Sequence, residues 1–232
     1  MKKTLATAMV SASLAISAGA AHALPIGLAL VLDQSGSISP ANWTLQKDAY
    51  ANVLNSSLIP TDSSLVIGVW KFSNTVQEVF APTLIADAAS KSALVTAING
   101  MSQSGGNTAI GTAVTTAADA FVSFGLGGLE KVVIDVSTDG VSNAGTNPTL
   151  ASNNALAAGI DAVNCLAIGG GASCNWNPLS SLDFTAATFA DFERTLRVKI
   201  ATETNQVPEP VTLGLVGLGL AGIGMARGKS KK

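Results

Sequence analysis

Histidine is nearly absent from this chain. Its one copy, His22, falls in a leader segment, so residues 24–206 contain no imidazole. That removes Ser-His and Cys-His nucleophile pairs and His-rich zinc sites, and with them most hydrolase mechanisms. Positive charge is scarce as well. Residues 24–206 hold seven Lys and Arg against 14 Asp and Glu, a balance of −7. Nucleic acid requires clustered cations to displace counterions, so it is excluded as a partner. The acidic surface suits cation binding or simple solubility. Only two cysteines occur, Cys165 and Cys174, and they do not form a Cys-x-x-Cys redox motif. In an exported protein an even count favours a disulfide over free thiols, here closing a small glycine-rich loop.

Export is written in the first residues. Lys2 and Lys3, the apolar stretch Leu5 to Ala18 and the small-x-small triplet Ala21-His22-Ala23 read as a signal peptide cleaved after Ala23. At the other end, Val207-Pro208-Glu209-Pro210 is followed by the apolar run Val211 to Ala226, then Arg227, Lys229, Lys231 and Lys232. That run is shorter than the ~20 residues that comfortably span a bilayer. The basic residues after it favour a cytoplasmic C-terminus. The three parts together closely resemble the PEP-CTERM sorting signal of Gram-negative bacteria. This implies processing by an exosortase-type membrane enzyme; an ordinary single-pass anchor is the alternative. The expected organisation is a signal peptide over 1–23, one domain over 24–204 and a sorting tail over 205–232. Within the tail, the motif is 207–210, the transmembrane helix 211–226 and the basic end 227–232.

Between the ends, strand and helix patterns alternate. Ile26 to Leu32 reads as a buried strand. Pro40 to Leu58 has helical spacing: Trp43, Tyr50, Leu54 and Leu58 form a stripe widened by Leu45, Ala49 and Val53. Gln46 interrupts that face. Ser39 is a natural N-cap and Pro40 a natural first helical residue. Leu65 to Phe72 and Thr75 to Phe80 read as an antiparallel pair joined at Ser73-Asn74. Helices are expected over Ala86 to Ile98, Ala109 to Phe124, around Leu150 to Ala158, and over Thr188 to Thr202. The last of these carries Phe189, Phe192, Leu196 and Ile200 on one face. Strands are expected over Lys131 to Ser137 and Ala162 to Ile168. This order predicts an α/β fold: a doubly wound, mostly parallel sheet with one antiparallel edge strand and helices on both faces.

Such sheets bind ligands beyond the carboxyl ends of their strands. Three loops there carry small oxygen donors: Asp33-Gln34-Ser35-Gly36-Ser37 after the first strand, Thr108 after Gly105-Gly106, and Asp139 in Thr138-Asp139-Gly140. Taken singly, Ser37 or Ser39 reads as a helix cap and Asp139-Gly140 as a turn. Taken together, they are donors suited to a hard divalent cation. Asp-x-Ser-x-Ser, a Thr in a glycine-rich loop, and a strand ending in Thr-Asp-Gly resemble the pattern of von Willebrand factor A domains. A bacterial branch of that superfamily is the nearest in character, and the likeness covers essentially all of 24–204. It implies a Rossmann-like fold with a metal-ion-dependent adhesion site (MIDAS). There Ser35, Ser37 and Thr108 would be hydroxyl ligands, while Asp33 and Asp139 would act largely through bound waters. The implied ion is Mg2+, with Mn2+ or Ca2+ as substitutes. Hydroxyl ligands leave such an ion short of negative charge and open to a partner's carboxylate.

Other motifs fail on context. Gly217-Leu218-Gly219-Leu220-Ala221-Gly222 matches G-x-G-x-x-G but lies in the apolar tail without a preceding strand. Gly228-Lys229-Ser230 resembles the end of a phosphate loop, but its upstream glycine position is Ile223. Asp135 reads as a strand aspartate paired in the interior or at the sheet end. Gly169-Gly170-Gly171, Asn175 and Trp176 read as either a ligand rim or a structural loop. The expected function is non-enzymatic: an exported, surface-sorted module binding an acidic group on a protein or matrix ligand. The alternative is a structural envelope or exopolysaccharide-matrix (biofilm) component with incidental metal. A metal-dependent hydrolase is a third, lacking a histidine base or cofactor motif. The expected location is the outer surface or extracellular matrix of a Gram-negative bacterium. Before sorting, the C-terminal helix would tether the chain to the inner membrane.

Overall fold

The computed structural model describes residues 23–179 and 181–205. Nearly all of the expected signal peptide and sorting tail therefore lie outside the described residues. Six strands form one sheet in the order β3-β2-β1-β4-β5-β6. They are β1 (Ile26–Asp33), β2 (Leu65–Phe72), β3 (Val76–Leu84), β4 (Val132–Thr138), β5 (Ala162–Ile168) and β6 (Asp183–Ala186). Every pairing is parallel except β2 with β3, which is antiparallel and forms one edge. The helices are α1 (Pro40–Asn55), α2 (Ala88–Asn99), α3 (Ile110–Phe124), α4 (Pro148–Ala157) and α5 (Phe192–Glu203).

β1 is buried at all eight positions because it is central and covered on both faces. Leu28, Leu30 and Leu32 join a core with residues of α1, α2 and α5, including Tyr50, Leu94 and Leu196. Ala29 and Val31 face the other way, into a core with Val114 and Phe121 of α3 and Ala151 of α4. Fully burying one such aliphatic side chain contributes roughly 1.5–3 kcal/mol. Ser39 caps α1, accepting from Asn42 N at 3.2 Å, with Pro40 opening the helix.

The structure differs from the sequence reading in several places: β3 runs on to Leu84 instead of ending at Phe80, and α1 stops at Asn55 instead of Leu58. β6 has only four residues, Asp183-Phe184-Thr185-Ala186, too few for their alternation to stand out from a loop; it closes the sheet by pairing with β5. α5 starts at Phe192, leaving Phe189 in the preceding loop. Leu45 belongs by spacing to the buried stripe of α1 but is 46 % exposed.

Asp135 is paired in the interior, and its partner is on α5. Lys199, Asp135 and Glu203 are all buried. Lys199 Nζ stands 2.6 Å from Asp135 Oδ1 and donates to Glu203 Oε1 at 2.7 Å. Asn164 of β5 donates to the same Glu203 oxygen at 2.8 Å, and the Phe184 ring lies 5.3 Å from the ammonium. One cation serves two carboxyl groups, so an uncompensated negative charge would be expensive unless a proton is retained. Burial pushes Asp135 up to about 7; the neighbouring Glu203 adds to this and Lys199 opposes it.

Cys165 on β5 is disulfide-bonded to Cys174 in the following loop. Trp176 in that loop is buried in the second core and donates to Ser173 O at 2.7 Å, which makes the segment a packed structural loop. Closing so short a loop contributes roughly 2–3 kcal/mol. We predict that reductant lowers stability by that amount in urea denaturation, and that a Cys165→Ala, Cys174→Ser variant shows no further loss. An unchanged midpoint on reduction would refute this.

Candidate metal centre

The chain crosses from β1 into α1 at the carboxyl edge of the sheet, next to the end of β4, and this adjacency assembles the cluster. Asp33, the last residue of β1, is fully buried. Its Oδ1 accepts Ser35 N at 2.8 Å, folding the loop back, and its Oδ2 accepts Thr138 Oγ1 at 2.7 Å from β4. The Ser35 and Ser37 hydroxyl oxygens are 3.1 Å apart, and Ser37 Oγ donates to Asp139 Oδ1 at 2.6 Å. Thr108 reaches the same place. A Cβ on Gly140 would stand 3.9 Å from Ser37 Oγ and 4.0 Å from Thr108 Oγ1, so both hydroxyls border the space that Gly140 leaves open. The structure thus brings Asp33, Ser35, Ser37, Thr108 and Asp139 together; Cys165 and Cys174 lie apart in their own loop.

Backbone contacts hold the three loops in register. Gly105 and Gly106 have φ of 67° and 105°, the left-handed region that glycine enters freely, and turn the loop towards β1. Gly36 N donates to Gly106 O at 2.8 Å, and Gly105 N to Gln34 O at 3.2 Å. Gln103 Nε2 bonds Ile38 O at 2.7 Å, and Lys71 Nζ holds Ser102 O at the start of the loop. Thr108 N donates to Asn143 Oδ1 at 2.8 Å, tying it to the segment after Asp139.

Sequence reasoning misses these positioning residues. Gln46 is the clearest case. A polar residue in an apolar stripe is the available signal; buried, it donates through Nε2 to Asp33 O at 2.8 Å and fixes the end of β1. Gln103 and Asn143 give no comparable signal, because loop polar residues have no periodicity to break.

The electrostatics favour a cation. Burial pushes the Asp33 carboxyl up to about 6; hydrogen bonds from Thr138 and Ser35 oppose this, and the Asp139 charge reinforces it. Among the described residues, neither Asp33 nor Asp139 has a Lys or Arg within ion-pair distance. No three His, Cys, Asp or Glu side chains converge among the described residues, so a cation here would depend on hydroxyls as well as carboxylates. Two carboxylates without a counter-charge, bordered by three hydroxyls, fit a hard divalent ion and do not fit a thiolate- or imidazole-bound one.

Solved structures share this fold. Proximal thread matrix protein 1 from the mussel byssus is 23% identical with a TM-score of 0.65, the match covering 76% of this chain and 47% of that one. The chain therefore spans about half of that protein's length. A structure of the same mussel protein has a zinc-occupied MIDAS motif, at 22% identity, TM-score 0.60, and coverage of 77% and 48%. The pilus adhesin SpaC from Lactobacillus rhamnosus GG matches at 14% identity and TM-score 0.62, covering 79% of this chain and 30% of that one. A von Willebrand factor type A structure from Catenulispora acidiphila matches at 16% and 0.63, covering 78% and 43%. At these identities the likeness establishes the fold, which is that of a von Willebrand factor A domain. No curated protein matches the chain. Residues 206–229 match the PEP-CTERM protein-sorting motif. Residues 23–208 match the family described as "Protein of unknown function (DUF1194)", and the chain belongs to that family, its described residues having the von Willebrand factor A fold.

Proposed function

We propose that this chain is an exported adhesion or matrix-interaction module that binds an acidic group on its partner through a divalent cation. The carrying observation is the convergence of Asp33, Ser35, Ser37, Thr108 and Asp139 from three loops, with no basic side chain paired to either carboxylate among the described residues. Ser35, Ser37 and Thr108 would hold the ion directly; Asp33 and Asp139 would supply charge from behind. When bound, Mg2+ (or Mn2+ or Ca2+) offers a Lewis-acidic position to a partner's carboxylate. The chain's own residues orient the donors: Thr138 and the Ser35 amide fix Asp33, and Gln103 and Asn143 fix the loops. The mussel thread matrix protein and the pilus adhesin are in keeping with a binding role.

The remaining parts of the reading are export by residues 1–23, one domain over 24–204, and surface sorting of a Gram-negative protein by an exosortase-type enzyme acting on 205–232. The sorting tail would include a membrane-inserted helix before processing.

The metal reading predicts thermal stabilisation by millimolar Mg2+, worth about 2.7 kcal/mol at a hundredfold excess over Kd. Ser37→Ala is the chosen variant because Ser37 is exposed and its loss leaves the core intact. It should weaken magnesium binding at least tenfold, while the metal-free protein loses only the Ser37–Asp139 hydrogen bond, about 0.5–1.5 kcal/mol. Calorimetry showing no divalent binding to the wild type at millimolar metal would refute the proposal.

One observation favours a second reading, a structural matrix component with incidental metal. The Ser37–Asp139 and Thr138–Asp33 hydrogen bonds already fasten the loops without help. On that reading a Ser35→Ala, Ser37→Ala double variant retains its surface association; loss of association would count against it.

A further inference from the structure

We infer that the partner's acidic group is presented by a protein segment with a large apolar side chain beside the carboxylate, and that this side chain lodges in the cleft adjoining Asp139. The inference rests on the metal reading above and specifies its partner. A cleft of about 510 Å3 opens between α1, the end of β5 and the loop before α5, and Asp139 is part of its wall. Its size falls in the roughly 300–1,000 Å3 range of pockets that accept small ligands. Leu45, Ile168, Phe189 and Ala190 make most of the remaining wall apolar.

Leu45 is 46 % exposed at this place and projects from the otherwise buried register of α1. The Phe189 ring is half-buried, with its centroid 6.4 Å from that of Phe192, so the wall is anchored to the core. Asn42 also lines the cleft. Its side-chain amide makes no hydrogen bond among the described residues, although its backbone N–H is used in the Ser39 cap. A side-chain amide with a free donor and a free acceptor matches the hydrogen-bonding groups of a peptide backbone.

The chemistry separates two classes of acidic partner. An acidic polysaccharide carries carboxylates among hydroxyls and would leave the apolar wall wet. A peptide with Glu followed by Phe or Leu covers both features. With a domain charge of −7, long-range electrostatics repel any acidic partner. Contact with an uncharged apolar wall adds attraction that this repulsion does not weaken.

The test uses purified full-length protein with and without Mg2+ and three probes: acetyl-Gly-Glu-Phe-Gly amide, acetyl-Gly-Glu-Ser-Gly amide and polygalacturonate. Magnesium-dependent binding of the Phe peptide should be at least about tenfold tighter than that of the Ser peptide, the effect of burying one large side chain. Leu45→Ser should bring the Phe peptide close to the Ser peptide while leaving the magnesium-induced melting shift unchanged. Equal binding of the two peptides, no binding of either at millimolar concentration, or tighter binding of polygalacturonate would overturn the inference while the magnesium shift stands. Absence of that shift in the wild type would overturn the metal reading and this inference together.

Discussion

Lys199→Ala will lower the stability of this domain by about 3–5 kcal/mol, the loss typical of removing one partner from a buried ion pair. The lysine is fully buried, and its ammonium contacts Asp135 at 2.6 Å and Glu203 at 2.7 Å. Alanine leaves two buried carboxyl groups beside a cavity, with no cation to neutralise them. Burial works against the lysine's charge, but Asp135 and Glu203 outweigh it and hold its pKa above the ordinary value. At pH 7, well below its unfolded pKa, this stabilisation is present, and it is lost as pH rises through the folded value. Urea denaturation at pH 7, with the m-value compared to confirm two-state behaviour, measures the loss. A triple variant, Asp135→Leu, Lys199→Met and Glu203→Leu, should regain part of it, because apolar side chains need no pairing among themselves, while the buried Asn164 amide that donates to Glu203 loses its acceptor. A single-variant loss below about 1 kcal/mol would show that the carboxyls find another neutraliser, which is the outcome that defeats this account.

The same cluster should make stability fall as pH rises from about 4 to 7. Burial, then the Glu203 charge, raise Asp135 from 3.8 to about 7, against the pull of Lys199. Below the unfolded pKa both states hold the proton, and the raised pKa costs nothing. Between the two values only the folded state holds it, so stability declines by up to about 1.4 kcal/mol per pH unit. Above the folded value both states have released it and the decline stops. Asp135→Asn cannot take up the proton and should remove this slope. The comparison is the free energy of unfolding at half-unit steps from pH 4.5 to 8, without divalent metal, in both proteins. Asp33 tilts both curves in the same direction, since it too is raised by burial, so their difference isolates the buried cluster around Asp135. Parallel curves would refute the assignment.

How much of this is legible in the sequence depends on whether a residue announces itself through periodicity or only through contacts. β2 and β5 can be read with their observed bounds, because Val, Ile and Trp runs ended by polar turns fit little besides a buried strand. Asp33, Ser35, Ser37 and Asp139 can be picked out because they follow strand ends, where the topology collects loops; Thr108 lies in the loop between α2 and α3 and is singled out only by the resemblance to the von Willebrand factor A pattern. Gln46 is visible only as a flaw in a stripe, and its bond to Asp33 O depends on how α1 lies over β1. Lys199 looks like a surface residue of the last helix, and Glu203 falls just past that helix's expected end at Thr202, where a polar linker is expected; in the structure α5 includes Glu203 and buries it. Nothing local shows that this turn faces Asp135 in the middle of the sheet. β6, four residues long and held by pairing on one side, is tertiary in origin.

The placement of the chain ends has a mechanical side. At the amino-terminal edge of the sheet, Glu130 N donates to Pro25 O and Lys131 Nζ to Asn205 Oδ1, so the described chain enters and leaves on the side away from Asp33 and Asp139. A pull between the tail and a partner held at Asp139 runs lengthwise through the domain. It passes from Asn205 into the last turn of α5, across Lys199 to Asp135, and up β4 to Asp139. Parallel strands loaded along their length resist in shear: the hydrogen bonds on both sides of β4 share the force and do not open one after another. The ionic contact, together with the packing of Leu196 and Ile200 against the sheet, then couples α5 to β4, and rupture follows the rate of unfolding under load. Single-molecule stretching between Asp139 and the C-terminus should find a lower rupture force in Lys199→Ala than in the wild type, and equal forces would show that the load takes another route.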